Sequence, residues 1–284
     1  MFILSCSIIV RKRGDIMKKI LEVNNFSFSY KDKDILNNID LNIPTATINA
    51  IIGANASGKT TLIRALSGNL TFSKDIELCN IPLIRGNRTE YLRHCDIVYI
   101  ATDKKLKFNS VKLLMRYQLQ SRGYNLKQSR DRIKEISDKF NIKELIDKKV
   151  SKLNMLDKTK ALLIAAVIHK PEVLFVDDLF CGLDFNGCCV ISELLNEIRD
   201  TGITIIFSTN RLDACIACNN IYFLNEGKLE KYDSLTSLIK KDNILSRNGI
   251  IIPPMLDLSQ KLRDYDILND IVYTPEGMVD SLWK

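Results

Sequence analysis

The pattern of apolar and polar residues predicts strands first. Residues 20–30 (ILEVNNFSFSY) alternate like a half-buried strand, and residues 39–43 (IDLNI) repeat that signal before Pro44. A continuous apolar run at residues 173–176 is typical of a central parallel strand that is covered on both faces. A further strand is predicted at residues 203–208. The pattern therefore favours an α/β protein with an antiparallel pair near its start.

Helical periodicity appears in the stretches between these strands. From residue 111 to 149 apolar side chains recur at helical spacing, which predicts a helical insertion between strands. Residues 158–169 form a strongly apolar helical segment that stops before Pro171. We expect two more helices, at residues 190–199 and from Arg211 onward. Strands and helices thus alternate through the middle of the chain.

Shorter elements complete the prediction. Strand signals occur at residues 76–78 and 96–100, and the segments 221–224 and 228–231 form a hairpin that turns at Glu226-Gly227. After residue 241 the chain changes character. Two helices are predicted there, one at residues 255–262 and one opening at Thr274-Pro275, since Thr is a good N-cap and Pro a good first helical residue.

A glycine-containing loop joins an apolar run to a helical run. Residues 53–60 (GANASGKT) fit G-x-x-x-x-G-K-[ST], in the strand–loop–helix context that this pattern requires. The backbone N–H groups of such a loop form an anion nest at a helix N-terminus. We expect nucleotide binding by Gly53, Asn55, Ala56, Ser57, Gly58, Lys59, Thr60 and Thr61. The alternative is a surface turn that matches the pattern by accident.

Two carboxylates follow the central strand. Asp177 fits the role of the acid that holds Mg²⁺ through its water shell, while Thr60 provides a hydroxyl ligand. Asp178 is placed to orient or deprotonate an attacking water. The alternative for both acids is a helix N-cap or a solvated loop. Tyr30, at the end of the first strand, is able to stack on a purine, although tyrosine is also simply a good strand residue.

Composition narrows the class of protein. The 284 residues are 46% apolar and 26% charged, and the net charge of +7 is spread along the chain, which gives no argument for nucleic-acid binding. No apolar run reaches the roughly 20 residues of a membrane span. The basic residues 11–13 follow an apolar start, the wrong order for a secretory signal. We expect a cytoplasmic protein whose residues 1–16 are a disordered extension or precede the true start.

The eight cysteines do not form a clear metal-binding pattern. Cys215 and Cys218 make one C-x-x-C, and Cys188 and Cys189 are adjacent. A zinc site needs a second such pair or suitably spaced histidines, and neither of the two histidines has that spacing. We therefore favour reduced, mostly buried thiols over a zinc site.

The order of these motifs resembles the ATPase subunits of ABC transporters. The resemblance covers residues 20–235 through GANASGKTT, VLFVDD, FCGLD and IIFSTNRLD, and Asp184 matches the loop that crosses the dimer interface. Residues 249–284 look like the C-terminal extension of energy-coupling factor (ECF) ATPases, which drive the uptake of vitamins and of cobalt or nickel ions. The resemblance implies a P-loop NTPase of ABC-ATPase type. That fold has a mixed parallel sheet core, an antiparallel β subdomain, a helical insertion and a small α-rich C-terminal extension.

The resemblance also implies an organisation and a set of partners. Residues 17–240 become an ABC-type ATP-binding domain, with the insertion at about residues 105–160, and residues 241–284 a dimerisation-type extension. The cofactors are ATP and Mg²⁺. A second ABC ATPase, identical or different, faces this chain head to tail, and a transmembrane transporter subunit is the other partner. The protein would then be peripheral on the inner face of the cell membrane.

Four positions depart from the family pattern. The signature loop, usually LSGGQ, reads LNMLD at residues 153–157, so side chains stand where backbone access to a phosphate is needed. The usual glutamate is Asp178, whose shorter side chain draws the carboxylate back. The switch histidine aligns with Asn210, which donates a hydrogen bond but is neither acid nor base. The family's glutamine aligns within residues 99–103, which contain none.

These departures predict a chain that binds MgATP and hydrolyses it weakly, with Asp178 and Asn210 at the catalytic positions. The main hypothesis is the ATP-binding subunit of an ECF-type importer, paired with an intact ATPase. The alternative is a soluble, nucleotide-sensing regulatory protein with the ABC fold and no transporter. Loss of the glutamine favours that alternative, and the tail argues against it. An inert scaffold conflicts with the complete phosphate loop.

Overall fold

The computed structural model describes residues 19–30, 33–70, 77–78, 81–82, 96–101, 108–239, 245, 247–250, 252–269, 271–272 and 275–283. The predicted extension at residues 1–16 and the predicted N-cap at Thr274 lie outside these residues. So does the part of the glutamine region that follows Ala101.

The described strands form one large sheet, one long antiparallel pair and one short antiparallel pair. In chain order they are β1 (Lys19–Tyr30), β2 (Lys33–Pro44), β3 (Ile48–Ile52), β4 (Glu77–Leu78), β5 (Ile81–Pro82), β6 (Ile97–Ala101), β7 (Val173–Asp177), β8 (Thr204–Thr209), β9 (Asn220–Asn225) and β10 (Lys228–Tyr232). The large sheet has the order β10-β9-β3-β8-β7-β6, and β1 pairs with β2 and β4 with β5. All neighbours in the large sheet are parallel except the β9–β10 hairpin.

Helices follow most of the strands of the large sheet. They are α1 (Lys59–Leu66), α2 (Val111–Gln120), α3 (Leu126–Lys139), α4 (Lys143–Ile146), α5 (Met155–Val167), α6 (Phe185–Asp200), α7 (Leu235–Ile239), α8 (Pro254–Asp264) and α9 (Pro275–Leu282). Short 3₁₀ turns occur at Val150–Lys152 and Asp213–Cys215. Within the described ranges, no helix combines the length and the apolar character that crossing a membrane requires.

The hydrophobic core covers both faces of the large sheet. Strands β3, β7 and β8 are buried at every position, because each has a neighbour on both sides and a layer on both faces. On one face Ile51 belongs to a cluster with Leu62 of α1 and Leu41 of β2. On the other face Phe207 belongs to a cluster with Ile191 of α6. Because the central strands are parallel, their C-terminal ends lie at the same edge of the sheet, where open α/β folds bind ligands.

The structure confirms the predicted fold class, the mixed sheet, the helices of the insertion and the hairpin. The helix predicted from Arg211 is wrong, since only the 3₁₀ turn Asp213–Cys215 lies between β8 and β9 in the chain. There the Arg211 guanidinium bonds the Asp213 carboxylate and the Leu183 carbonyl, which holds the segment in a turn. Helix α6 begins earlier than predicted, because Asp184 is its N-cap.

Candidate functional site

The loop between β3 and α1 is shaped by close packing at its first glycine. A Cβ at Gly53 would lie 2.4 Å from the Leu224 carbonyl oxygen and 2.7 Å from Ser57 Oγ, so the backbone passes where only glycine fits. At the other end Gly58 has a φ of 104° and is the N-cap of α1. Ser57 Oγ is buried and has no hydrogen-bond partner within the described residues. An anion entering this loop would meet that free hydroxyl and the N-terminus of α1.

The Lys59 side chain is held in place by backbone carbonyl groups of the loop. Its ammonium donates to the carbonyl oxygens of Gly53, at 2.8 Å, and Ala54, at 2.6 Å. Desolvation by burial lowers the pKa of Lys59, while the carboxylates of Asp178 and Asp177 oppose that change. The two carbonyls therefore keep in place a cation that can exchange them for phosphate oxygens.

Thr60 in the first turn of α1 contacts Asp177 at the end of β7. The Thr60 hydroxyl donates to Asp177 Oδ1 over 3.0 Å, and the Ser208 hydroxyl donates to the same oxygen over 2.7 Å. Hydroxyl and carboxylate oxygens are the hard donors that Mg²⁺ prefers. This donor set therefore fits the predicted magnesium site, with Thr60 as a ligand and Asp177 acting through water.

The proposed catalytic positions lie beside these groups. The backbone N–H of Asp178 donates to Ser208 Oγ over 2.7 Å, and the φ of Asp178 is 55°. Asn210 follows β8, and its side-chain amide donates to Asn55 Oδ1 over 3.3 Å. The structure thus brings both positions to the phosphate loop.

The remaining sequence-predicted residues have mixed placements. Ala56 adopts a φ of 63° within the loop, and Thr61 lies in the first turn of α1. Tyr30 ends β1 with its side chain 48% exposed, and its ring contacts that of Phe28 edge to face, with the ring centres 4.8 Å apart. Tyr30 also lies near Arg64, whose pKa is raised mainly by its hydrogen bond with Tyr99 and slightly by Tyr30.

Three residues of the site were not singled out from the sequence. Ser208 bonds both Asp177 and the backbone of Asp178. Tyr99 and Arg64 approach Asp177 from β6 and α1. The position of Ser208 near the end of the strand beside β7 was a usable signal. Tyr99 and Arg64 could be recognised only once the pairing of β6 with β7 and the orientation of α1 were known.

The predicted signature loop ends in a capped helix. Asn154 Oδ1 accepts the Asp157 N–H over 2.7 Å at the start of α5, so that first-turn donor is already satisfied. The Met155 side chain is 42% exposed at the same helix end. Asp184, at the predicted interface loop, caps α6 in the same way by accepting the Gly187 N–H at 2.7 Å.

Comparisons with known proteins place these features in context. Residues 36–180 match the sequence family described as ABC transporter. The energy-coupling factor transporter ATP-binding protein EcfA1 of Bacillus subtilis (strain 168) is 25% identical over 271 residues, 93% of this chain and 96% of that protein. YhaQ of the same organism, an uncharacterized ABC transporter ATP-binding protein, is 28% identical over 214 residues, 74% of this chain and 69% of that protein.

A solved structure gives the same picture for the fold. The structure of cbiO1 from Clostridium perfringens, part of the ABC transporter complex cbiONQ, is similar with a TM-score of 0.70 and 25% sequence identity. The similarity covers 87% of this chain and 99% of cbiO1. The fold therefore matches that protein over nearly its whole length.

Proposed function

The chain belongs to the ABC transporter family, and on that basis we propose that it is the ATP-binding subunit of an importer of the energy-coupling factor type. It binds MgATP, couples that binding to uptake of a vitamin or a transition-metal ion, and hydrolyses ATP slowly. The hydrogen bond between Thr60 and Asp177 is the observation that carries this proposal, since it joins two halves of a nucleotide site that lie 117 residues apart.

The geometry supports a specific role for each group in nucleotide binding. The N-terminus of α1 and the free Ser57 hydroxyl receive the phosphates, and the Lys59 ammonium exchanges the Gly53 and Ala54 carbonyls for phosphate oxygens. Thr60 directly, and Asp177 through water, would hold Mg²⁺, which when bound would neutralise charge on the phosphates. Asn210 is linked to the loop by its hydrogen bond to Asn55, so a movement of the loop would change the position of Asn210.

Slow hydrolysis follows from what these positions lack. The shorter side chain of Asp178 withdraws the water-orienting carboxylate by about an ångström, and a misplacement of that size costs on the order of a hundredfold in rate. Asn210 accepts no proton. At the signature loop the Asp157 N–H is already bonded to Asn154, which leaves one fewer donor for a partner's nucleotide. Asp178 and Asn210 weaken this chain's own site, and the altered signature loop weakens the partner's, so both composite sites of a dimer are slowed even when the second ATPase is intact.

The C-terminal extension supports a partner-bound state. Its last two helices and the residues that follow each of them leave large apolar side chains exposed, and exposed apolar side chains that form a patch commonly mark an interaction site. These residues are Leu258, Tyr265, Ile267, Val279, Leu282 and Trp283. We assign the extension to contact with the second ATPase, and the membrane-inner-face location to contact with a transmembrane subunit.

The first experiment measures ATP binding and ATP turnover on the purified chain. Lys59→Ala removes the phosphate-binding cation, and Lys127→Ala, an exposed lysine of α3, is the matched control. We expect binding that is lost only in Lys59→Ala, with turnover close to background. Brisk turnover that Asp178→Ala abolishes would contradict slow hydrolysis, and absence of binding would refute the nucleotide-binding function.

The second experiment addresses the transporter assignment. The full chain, carrying an affinity tag, is purified from membranes of its native host in mild detergent. We expect a second ABC ATPase and a polytopic membrane protein to co-purify. Recovery of the chain only from the soluble fraction, without either partner, would favour the soluble regulatory alternative.

A further inference from the structure

The two carboxylate oxygens of Asp177 have different partners. Oδ1 faces the phosphate loop, where it accepts from Thr60 and Ser208. Oδ2 accepts from the Tyr99 hydroxyl over 3.4 Å and lies 4.0 Å from a guanidinium nitrogen of Arg64. Arg64 Nε in turn donates to the Tyr99 hydroxyl over 3.2 Å. A cation therefore reaches the carboxylate that is assigned to Mg²⁺.

The arrangement follows from the geometry of α1. Thr60 and Arg64 are four residues apart on this helix, so their side chains lie on one face. The hydroxyl ligand and the guanidinium thus approach Asp177 together. Tyr99 holds the guanidinium in place from β6, because its hydroxyl accepts from Arg64 Nε and donates to Asp177 Oδ2.

We infer that Arg64, positioned by Tyr99, competes with Mg²⁺ for Asp177 and makes nucleotide binding in this chain only weakly dependent on Mg²⁺. This inference rests on the proposed nucleotide-binding function. Mg²⁺ must displace this guanidinium or share with it a carboxylate whose second oxygen already lies 4.0 Å from the positive charge. In the absence of Mg²⁺ the same guanidinium supplies positive charge beside the phosphate loop. Both effects reduce the gain in affinity that the metal ion provides.

The test compares nucleotide affinity with and without the metal ion. Binding of a fluorescent N-methylanthraniloyl derivative of ATP to the full chain is measured in saturating Mg²⁺ and in excess EDTA. The readout is the Kd in EDTA divided by the Kd in Mg²⁺, so a larger ratio means a stronger dependence on the metal ion. Arg64→Met removes a positive charge 4.0 Å from Asp177. Opposite charges at that distance interact strongly enough at a half-buried site to change a binding constant by about tenfold or more, so we expect this variant to raise the ratio by at least about tenfold.

Further variants separate charge from position. Tyr99→Phe removes the hydroxyl that joins Arg64 to Asp177, and we expect it to raise the ratio to a smaller extent. Arg64→Lys keeps the charge and should remain near wild type. Arg130→Met, at an exposed arginine of α3 away from the site, should leave the ratio unchanged.

The outcomes distinguish this inference from the function on which it rests. If wild type and Arg64→Met both bind nucleotide with the same ratio, the competition is refuted and the nucleotide site stands. If wild type does not bind the nucleotide at all, the proposed function itself fails. Thermal unfolding checks that each variant is folded. If Arg64→Met is unfolded, Tyr99→Phe decides, because an unchanged ratio in that variant refutes the role of the Arg64–Tyr99 pair.

Discussion

The side chain of Asn210 lies against the phosphate loop, where its amide donates to Asn55 Oδ1 over 3.3 Å. Asn210 follows β8, so one hydrogen bond connects the end of a central strand to the loop that would hold the phosphates. An amide donates and accepts hydrogen bonds but does not take up a proton. The hydrogen bond therefore links the position of Asn210 to that of the loop, but Asn210 cannot act as an acid or a base.

Restoring proton chemistry at this contact should restore hydrolysis. We expect the double variant Asp178→Glu with Asn210→His to release phosphate from ATP on the order of a hundredfold faster than wild type, because the carboxylate then reaches the water and an ionisable ring replaces the amide. Nucleotide affinity should change little. The same pair combined with Lys59→Ala gives the background. A double variant that binds ATP normally and still turns over at background would show that other positions limit the rate.

The signature loop should limit closure onto a partner. Replacing Met155 and Leu156 by glycine removes two side chains from the N-terminus of α5, so we expect ATP-dependent self-association to become at least about tenfold tighter. Analytical ultracentrifugation in an Asp178→Ala background, with and without ATP, measures this change. Association that tightens equally without ATP would indicate that apolar contacts, and not closure around a nucleotide, drive the self-association.

Gly53 should tolerate no side chain. In Gly53→Ala the new methyl group would lie 2.4 Å from the Leu224 carbonyl oxygen, which forces the loop to shift. We expect a loss of about 1–3 kcal/mol in the free energy of unfolding, as for other overpacked sites, together with weakened ATP binding. Denaturant unfolding and nucleotide titration provide the two measurements.

The control for this variant is Gly123→Ala. A Cβ at Gly123 meets nothing within 4 Å, although its φ is +86°. That variant therefore has only a backbone cost, of about 1 kcal/mol, and should bind ATP normally. Equal losses of stability with unchanged nucleotide affinity in both variants would contradict the packing argument at Gly53.

Acid should destabilise the chain through His169. Burial, assisted by Arg122 and Arg132, lowers the pKa of His169 to about 4, against an unfolded value of about 6.5. The unfolded state therefore binds the proton first. The stability due to the neutral ring is present above pH 6.5, and up to about 3 kcal/mol of it is lost as the pH falls toward 4.

The measurement is the pH dependence of the free energy of unfolding, compared between wild type and His169→Gln. Asp96, whose carboxylate lies 3.7 Å from His169 Nε2, has a pKa raised by desolvation and acts in the opposite direction. The difference between the two proteins isolates the histidine. Parallel curves between pH 6.5 and 4 would show that the ring is not buried in its neutral form.

The features that the sequence predicts correctly are local ones. The strand, loop and helix of β3 and α1, the central strand at Val173–Asp177 and the β9–β10 turn each depend on neighbouring residues, so short patterns suffice. The error after Arg211 has a different origin, because the Leu183 carbonyl that holds this turn lies elsewhere in the chain. Ser208 and Arg64 were overlooked for the same reason, since their roles exist only once β7, β8 and α1 are assembled.

The β9–β10 hairpin makes the phosphate loop sensitive to remote sequence changes. Its Leu224 carbonyl lies directly behind Gly53, and the carbonyl of Gly227 at its tip accepts the N–H of Asn37 in β2 over 2.7 Å. One small hairpin therefore connects the antiparallel layer to the loop that would receive the phosphates. Variants that impair nucleotide binding should accordingly also arise at this tip and along the facing part of β2, outside every recognisable nucleotide motif.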